Sequence, residues 1–469
     1  MVFSSSAFVF LFLPMVISIY YVMHHSFKNA FLLAASLVFY AFGEPKFVAV
    51  LIVSIIINWG LALLIEKVTI MRLKTFCLVI DIMLNLSMLI IFKYANFITS
   101  NLTSLFKNVT VTDIALPIGI SFFTFQAMSY VIDVYRGEEN AQVNPLNLGL
   151  YISLFPQLIA GPIVRYSTIS KELVDRKTTW NDVIEGTTCF LRGLFKKIII
   201  ANNVAIVADA AFTGNICEHS ILFSWLGALA YTLQIYFDFS GYSDMAIGLG
   251  GIFGFHFPKN FDYPYAATSI TNFWRRWHIS LSSWFKDYVY IPLGGSKVEG
   301  YKRIRNLLVV WLLTGIWHGA NWTFIAWGLL YFMLLIVEKY IIHPEKITQN
   351  WIKNGYRIVV FYLVMLLWVL FRSESVRMAG QYIKSMLGLY GNVLADNDWL
   401  WYSREYIVFI VFGLLLSTPL IRMILMKVRM FVKSVVYEGA RTIGYLSLFI
   451  TCISYLVTGA HNPFIYFSF

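Results

Sequence analysis

Apolar runs long enough to cross a bilayer recur from one end of this chain to the other, and a chain built this way has lipid for much of its solvent. A hydrocarbon core takes about 20 apolar residues per helix. Runs of that character lie near 2–22, 30–42, 47–65, 76–92, 114–134, 183–207, 220–236, 307–317, 324–337, 358–371, 407–426 and 442–459. With 59% of the 469 residues hydrophobic and 13% charged, the chain has more apolar surface than a soluble domain could enclose. The expected fold is all-α, a polytopic integral membrane protein of about 11–12 spans, the shortest of them tilted or re-entrant.

The net charge of +11, from 36 Lys and Arg against 25 Asp and Glu, would suggest nucleic acid in a soluble protein. Here the bases gather in short loops beside the runs, where they set orientation, and no nucleic-acid partner is expected. Lys28, then Lys67, Arg72 and Lys74, then Arg136, then Arg165, Lys171, Arg176 and Lys177 read as cytoplasmic. The stretch 94–113 has a single Lys among Asn, Thr and Ser and reads as outside, as does the N-terminus. A strongly basic stretch, Arg422 to Arg441, precedes the last run, which carries residues 461–469 to the outer face. The first run has neither a basic n-region nor a cleavage signal and reads as a retained span. Polar insertions near 137–147 and 373–406 are too short or too mixed for a second core, so residues 1–469 read as one membrane domain without internal repeats.

Soluble motifs are absent. The glycines between Gly248 and Gly254 follow a helical run rather than a strand and suit close helix packing better than a dinucleotide. Cys77, Cys189, Cys217 and Cys452 are scattered, with no C-x-x-C pair, and read as small packing residues. Asn-x-Thr sequons stand at Asn101 and Asn108 and matter only in a glycosylating compartment.

Four constellations remain. His318 stands in Thr314-Gly-Ile-Trp-His-Gly-Ala-Asn321, where an ionisable ring at membrane depth points into a cavity unless it is purely structural. Gly315 and Gly319 let another backbone approach it. In the segment 272–288, helical spacing gathers Trp274, Trp277, Leu281 and Trp284 on one side, with His278 next to that stripe; an amphipathic interfacial helix is the plain alternative. Asp238 and Asp244, in 236–245, argue for a polar interior or else serve as helix caps. Two prolines bracket the apolar turn in 154–165, which reads as a re-entrant element.

Together these segments resemble the bacterial branch of the membrane-bound O-acyltransferase (MBOAT) superfamily. Trp274–Gly295 is similar to the family pattern W-x-R-W-H-I-S-L-S-x-W-F-x-D-Y-x-Y-I-P-L-G-G, and Thr314–Gly319 to T-G-x-W-H-G. The stretches 155–162 and 237–244 are also similar to family segments. The resemblance implies the MBOAT fold, with helices and re-entrant elements around a central tunnel, a catalytic core within 266–322, and a location in the bacterial cytoplasmic membrane. It also implies catalytic roles for His318 and His278.

Within the branch the chain is similar to proteins that O-acetylate alginate, cellulose or peptidoglycan, with teichoic acid D-alanyl transfer as the alternative. The ending Phe464-Ile-Tyr-Phe-Ser-Phe469 favours acetylation, although Ser468 replaces the Arg usual in that ending. The implied donor is a cytosolic acyl thioester such as acetyl-coenzyme A, with no tightly bound cofactor. The implied partners are a glycan and an SGNH-hydrolase-like acetyltransferase, both extracytoplasmic.

Neutral imidazole at His318 suits a general base, a role worth about 10²–10⁴ in rate. His278 would orient a reactant or stabilise the oxyanion, and Arg275 or Arg276 with the loop of Lys302, Arg303 and Arg305 would hold the donor's phosphates. Asp238, Asp244 and Asn321 would supply polar groups inside the tunnel, and Tyr466 would relay the acyl group or, as the plain alternative, anchor the tail as an aromatic residue at the membrane interface. Two histidines without Asp or Cys at ligand spacing give no metal site. A secondary transporter, the remote alternative, would show two related halves.

The charge pattern yields a first prediction. Lys302→Cys and Arg303→Cys should resist a membrane-impermeant thiol reagent in intact cells and react after lysis; labelling in intact cells would invert the expected topology.

Overall fold

Away from water every backbone polar group needs an internal partner, and this chain meets that demand with helices. The computed structural model describes residues 2–103, 106, 110–459 and 465, and among these there is no strand. Asn108 and Tyr466 lie outside the described residues.

Seven described helices are long and apolar enough to cross a membrane: His25–Gly43, Pro45–Lys67, Met71–Thr103, Trp322–Lys346, Asn350–Arg372, Asn397–Leu416 and Ser434–Val457. Their large apolar side chains are often exposed, as at Val53, Ile56, Phe76, Val79, Ile407 and Ile450, which is the arrangement lipid requires. The other apolar runs fold differently from free-standing spans. The run near 220 belongs to the 32-residue helix Ile221–Ile252, which buries Ser224, Thr232, Gln234, Asp238, Ser240 and Ser243 within protein. The run near 114 becomes helical only at Ile120, because Gly119 at φ 77° starts the helix from a left-handed turn.

The described chain forms two compact units, 1–190 with 244–258 and 191–243 with 259–469. In the first unit Phe3, Phe8, Phe12 and Phe39 cluster around Phe155. Phe155 begins the short helix Phe155–Leu158, and the whole of 154–164 is buried. Its irregular backbone is satisfied locally: Phe155 N–H donates to the Ser36 hydroxyl at 3.0 Å, and the Tyr151 hydroxyl donates to the Val164 carbonyl at 3.0 Å. Two facing helices bury a polar patch in which Asn58 and Asn85 exchange side-chain amide bonds at 3.0 and 3.3 Å and Asn85 also donates to Asp81. Gly248 packs on Gly186, where an added methyl would meet the Gly186 carbonyl oxygen at 2.4 Å, so close helix packing accounts for it.

In the second unit, the helices Tyr301–His318 and Trp322–Val337 form a hairpin that sets the position of His318. A methyl on Gly315 would meet the Phe324 carbonyl oxygen at 2.5 Å, and one on Gly328 would meet that of Trp311 at 2.4 Å. Only glycines allow this approach. Gly328→Val should therefore lower the midpoint of thermal unfolding in detergent, overpacking of this kind being worth about 1–3 kcal/mol. Gly355→Ala, where an added methyl meets nothing within 4 Å, should leave the midpoint unchanged or raise it.

Candidate active site

The segment 270–285 is interrupted at its histidine. Helix Ile270–Trp274 ends in a turn, His278 takes φ 44° and ψ 54°, and a second helix runs Ile279–Phe285. Left-handed backbone at a non-glycine residue costs on the order of 1–3 kcal/mol and persists only where the surroundings enforce it. Asn260 supplies much of that enforcement. Its carbonyl accepts from Ile279 N–H at 2.9 Å, its side-chain oxygen accepts from Ser280 N–H and hydroxyl at 3.1 and 2.9 Å, and its side-chain amide donates to Ser243 at 3.0 Å.

Trp274, Trp277, Leu281 and Trp284 are all buried in protein, so the stripe is a core face rather than an interfacial one. Trp274 packs edge-on against Trp311 with ring centroids 4.7 Å apart, and Trp277 against Trp368 at 4.9 Å.

His318 is the last residue of its helix, and Gly319 continues in extended backbone. Its ring lies edge-to-face with Trp327 at 5.0 Å and Phe371 at 5.1 Å. Trp317 touches both histidines: its centroid is 5.1 Å from the His318 ring and 5.9 Å from the His278 ring. Phe239 and Phe261 complete the surroundings of His278 at 6.3 and 6.2 Å. The two rings are 2% and 7% exposed, a dry aromatic setting in which electrostatic interactions are strong. Burial holds the His278 imidazole well below its ordinary range, so it is neutral at physiological pH.

The remaining expected residues fall into different places. Arg275 is exposed, whereas Arg276 donates to Asn272 at 3.0 Å and to the Asp262 carbonyl at 3.1 Å. Lys302, Arg303 and Arg305 are not in a loop: Gly300 at φ 56° ends the preceding turn, and all three stand in the first turns of helix Tyr301–His318. Arg303 reaches back to the carbonyls of Ser296 and Val298, both at 3.2 Å. Asn321 caps the helix Trp322–Val337, accepting from Thr323 N–H at 3.1 Å.

Asp238 and Asp244 lie inside helix Ile221–Ile252, which removes the helix-cap alternative. Asp238 is fully buried, paired with Lys197 at 2.6 Å, and accepts from the backbone N–H of Ile465 at 2.9 Å. Sequence reasoning missed Lys197, Asn260 and Trp317. Lys197 had a readable signal, a base inside an apolar run; Asn260 and Trp317 stand out only once the chain is folded.

Residues 68–371 match the family model of the membrane-bound O-acyltransferase family. The chain belongs to that family. It is 42% identical to the probable alginate O-acetylase of Pseudomonas syringae pv. tomato, over 85% of this chain and 76% of that protein. It is 38% identical to the peptidoglycan O-acetyltransferase of Helicobacter pylori, over 83% of this chain and 80% of the relative. Likeness to the teichoic acid D-alanyltransferase of Bacillus subtilis is narrower, 31% over 46% of this chain and 58% of the other. This family member is thus a multi-pass membrane acyltransferase, with both family-pattern histidines buried in one unit and joined by Trp317.

The Lys197–Asp238 pair generates a prediction. Lys197→Met or Asp238→Asn alone leaves a buried group unmatched, a loss of about 3–5 kcal/mol when a buried ion pair is broken. Combining Lys197→Met with Asp238→Leu should recover most of the loss in thermal stability. A double variant less stable than either single one would contradict the pairing.

Proposed function

We propose that this chain takes an acetyl group from a cytosolic thioester, acetyl-coenzyme A, and moves it across the bacterial cytoplasmic membrane for O-acetylation of an extracytoplasmic polysaccharide or cell-wall glycan. The observation that carries this reading is the pair of buried histidines on Trp317, in the two segments with the family pattern, within a chain about 40% identical over most of its length to proteins named for O-acetylation.

His318 is the general base. An acceptor hydroxyl attacks the thioester carbonyl, the new C–O bond forms as the C–S bond breaks, the hydroxyl proton passes to the imidazole, and it leaves with the thiol. His278 orients the reactants and steadies the oxyanion. Being neutral, it can do so as a hydrogen-bond donor without competing as a charge. Arg275, Arg276, Lys302, Arg303 and Arg305 receive the donor's phosphates on the cytosolic face; Lys302, Arg303 and Arg305, in the first turns of their helix, stand against its dipole unless an anion joins them. Asp244 and Asn321 supply polar groups, each within its own unit.

The tail serves as the outer station. Ile465 is buried with its N–H on Asp238, in the unit that holds both histidines. The phenol of Tyr466 relays the acetyl group, and an SGNH-hydrolase-like partner delivers it to the glycan. D-alanyl transfer is less favoured, because its relatives match only about half of this chain.

Mass spectrometry of surface glycans tests both roles. His318→Ala should remove the O-acetyl mark while the protein still inserts, and Tyr466→Phe, which keeps the ring and deletes the hydroxyl, should remove it as well. A normal mark in the first variant would take His318 out of the mechanism. A normal mark in the second would make Tyr466 a membrane anchor only, and a lost D-alanyl mark would favour the alternative.

A further inference from the structure

Glu338 is a carboxylate 1% exposed at the end of the apolar helix Trp322–Val337, a costly place for a charge unless its oxygens are fully engaged. They are. One oxygen accepts from Ile270 N–H at 2.6 Å and from the Tyr356 hydroxyl at 2.8 Å. The other accepts from Thr271 N–H at 2.7 Å and from the Thr271 hydroxyl at 2.6 Å. Bonds of this length to a charged acceptor are about twice as strong as neutral ones. Two of the four donors are the first backbone amides of helix Ile270–Trp274, the element that leads through Arg275 and Arg276 into the left-handed turn at His278. Ser269 finishes the cap by accepting from Asn272 N–H at 2.9 Å.

The turn is therefore held at both ends. Asn260 fixes the residues that follow His278, and Glu338 fixes the helix that precedes it. Left-handed backbone at a histidine relaxes when either end is released, because nothing in the residue's own preference keeps it there.

We infer that Glu338 is a positioning residue for His278: through the first two amides of helix Ile270–Trp274 it sets the direction in which the imidazole is presented. This rests on the reading that His278 works beside His318 in acyl transfer. Glutamine cannot replace it. Its carbonyl oxygen serves one pair of donors, and its NH₂ then faces the backbone N–H of the other pair, donor against donor, even where the hydroxyl of that pair turns to accept.

The test uses the purified full-length protein in lipid nanodiscs, with acetyl-coenzyme A turnover and a second readout that does not need activity. Glu338→Gln should lower kcat on the order of 10- to 100-fold, as small misplacements of reacting groups do, with KM for the donor within about twofold. In a His278→Ala background the same change should cause no further loss, since a residue acting only through His278 has nothing left to position. Carbethoxylation of His278 by diethyl pyrocarbonate, followed by peptide mass spectrometry, should be faster in Glu338→Gln. Thr271→Val, which removes one bond and keeps the fold's shape, should show a milder form of both effects.

An unchanged kcat in Glu338→Gln, or an equal loss in the His278→Ala background, would overturn the inference. If Glu338→Gln does not fold, Thr271→Val decides by the same two readouts, and wild-type values there would overturn it. A His278→Ala protein with wild-type turnover would instead sink the transfer role of His278; the carbethoxylation rates would still decide whether Glu338 positions it.

Discussion

A polar group carried away from water must meet a partner, and in this chain that demand shapes each unit from within. Asn58 and Asn85 answer it by exchanging amide bonds between two apolar helices. Lys197 and Asp238 answer it with a buried ion pair, and the carboxylate has an oxygen left to take the backbone of Ile465. Such pairs bring little net stability compared with apolar side chains of the same volume. What they provide is register: each partner has one place where its needs are met.

The same constraint explains the histidines. An imidazole at 2% exposure in left-handed backbone is stable only inside a frame built for it, and that frame extends from Asn260 on one side to the helix Ile270–Trp274 on the other. His318 needs a different support, a hairpin whose helices meet at two glycines so that Trp327 can lie against the ring. Trp317 then lies against both rings. Aromatic walls keep water out while leaving room for polarisable contacts, which suits a proton transfer that bulk water would otherwise compete for.

Much of this was legible in the sequence. Apolar runs gave the helical membrane architecture, and the His278 and His318 segments were visible as polar interruptions matching a family pattern. Run counting misled where helices face protein: Ile221–Ile252 is longer than its apolar run because its polar residues are buried within protein rather than set against lipid. Helical periodicity found the tryptophan stripe but not the break at His278, since nothing in that residue's local preference announces positive φ. The basic cluster at 302–305 read as a loop, whereas Gly300 at φ 56° marks the start of a helix there. Lys197 stands out locally as a base inside an apolar run, but its pairing with Asp238 cannot be read from local sequence.

Under the proposed function, the buried histidine site opens a thioester. Release of free coenzyme A from acetyl-coenzyme A by the purified protein in nanodiscs, followed with a thiol reagent, tests this most directly. The account predicts release well above that of empty nanodiscs and a fall to that background in His318→Ala, with the variant's melting curve preserved. Release by the variant at the wild-type rate, or none by the wild type when an acceptor is supplied, would contradict it.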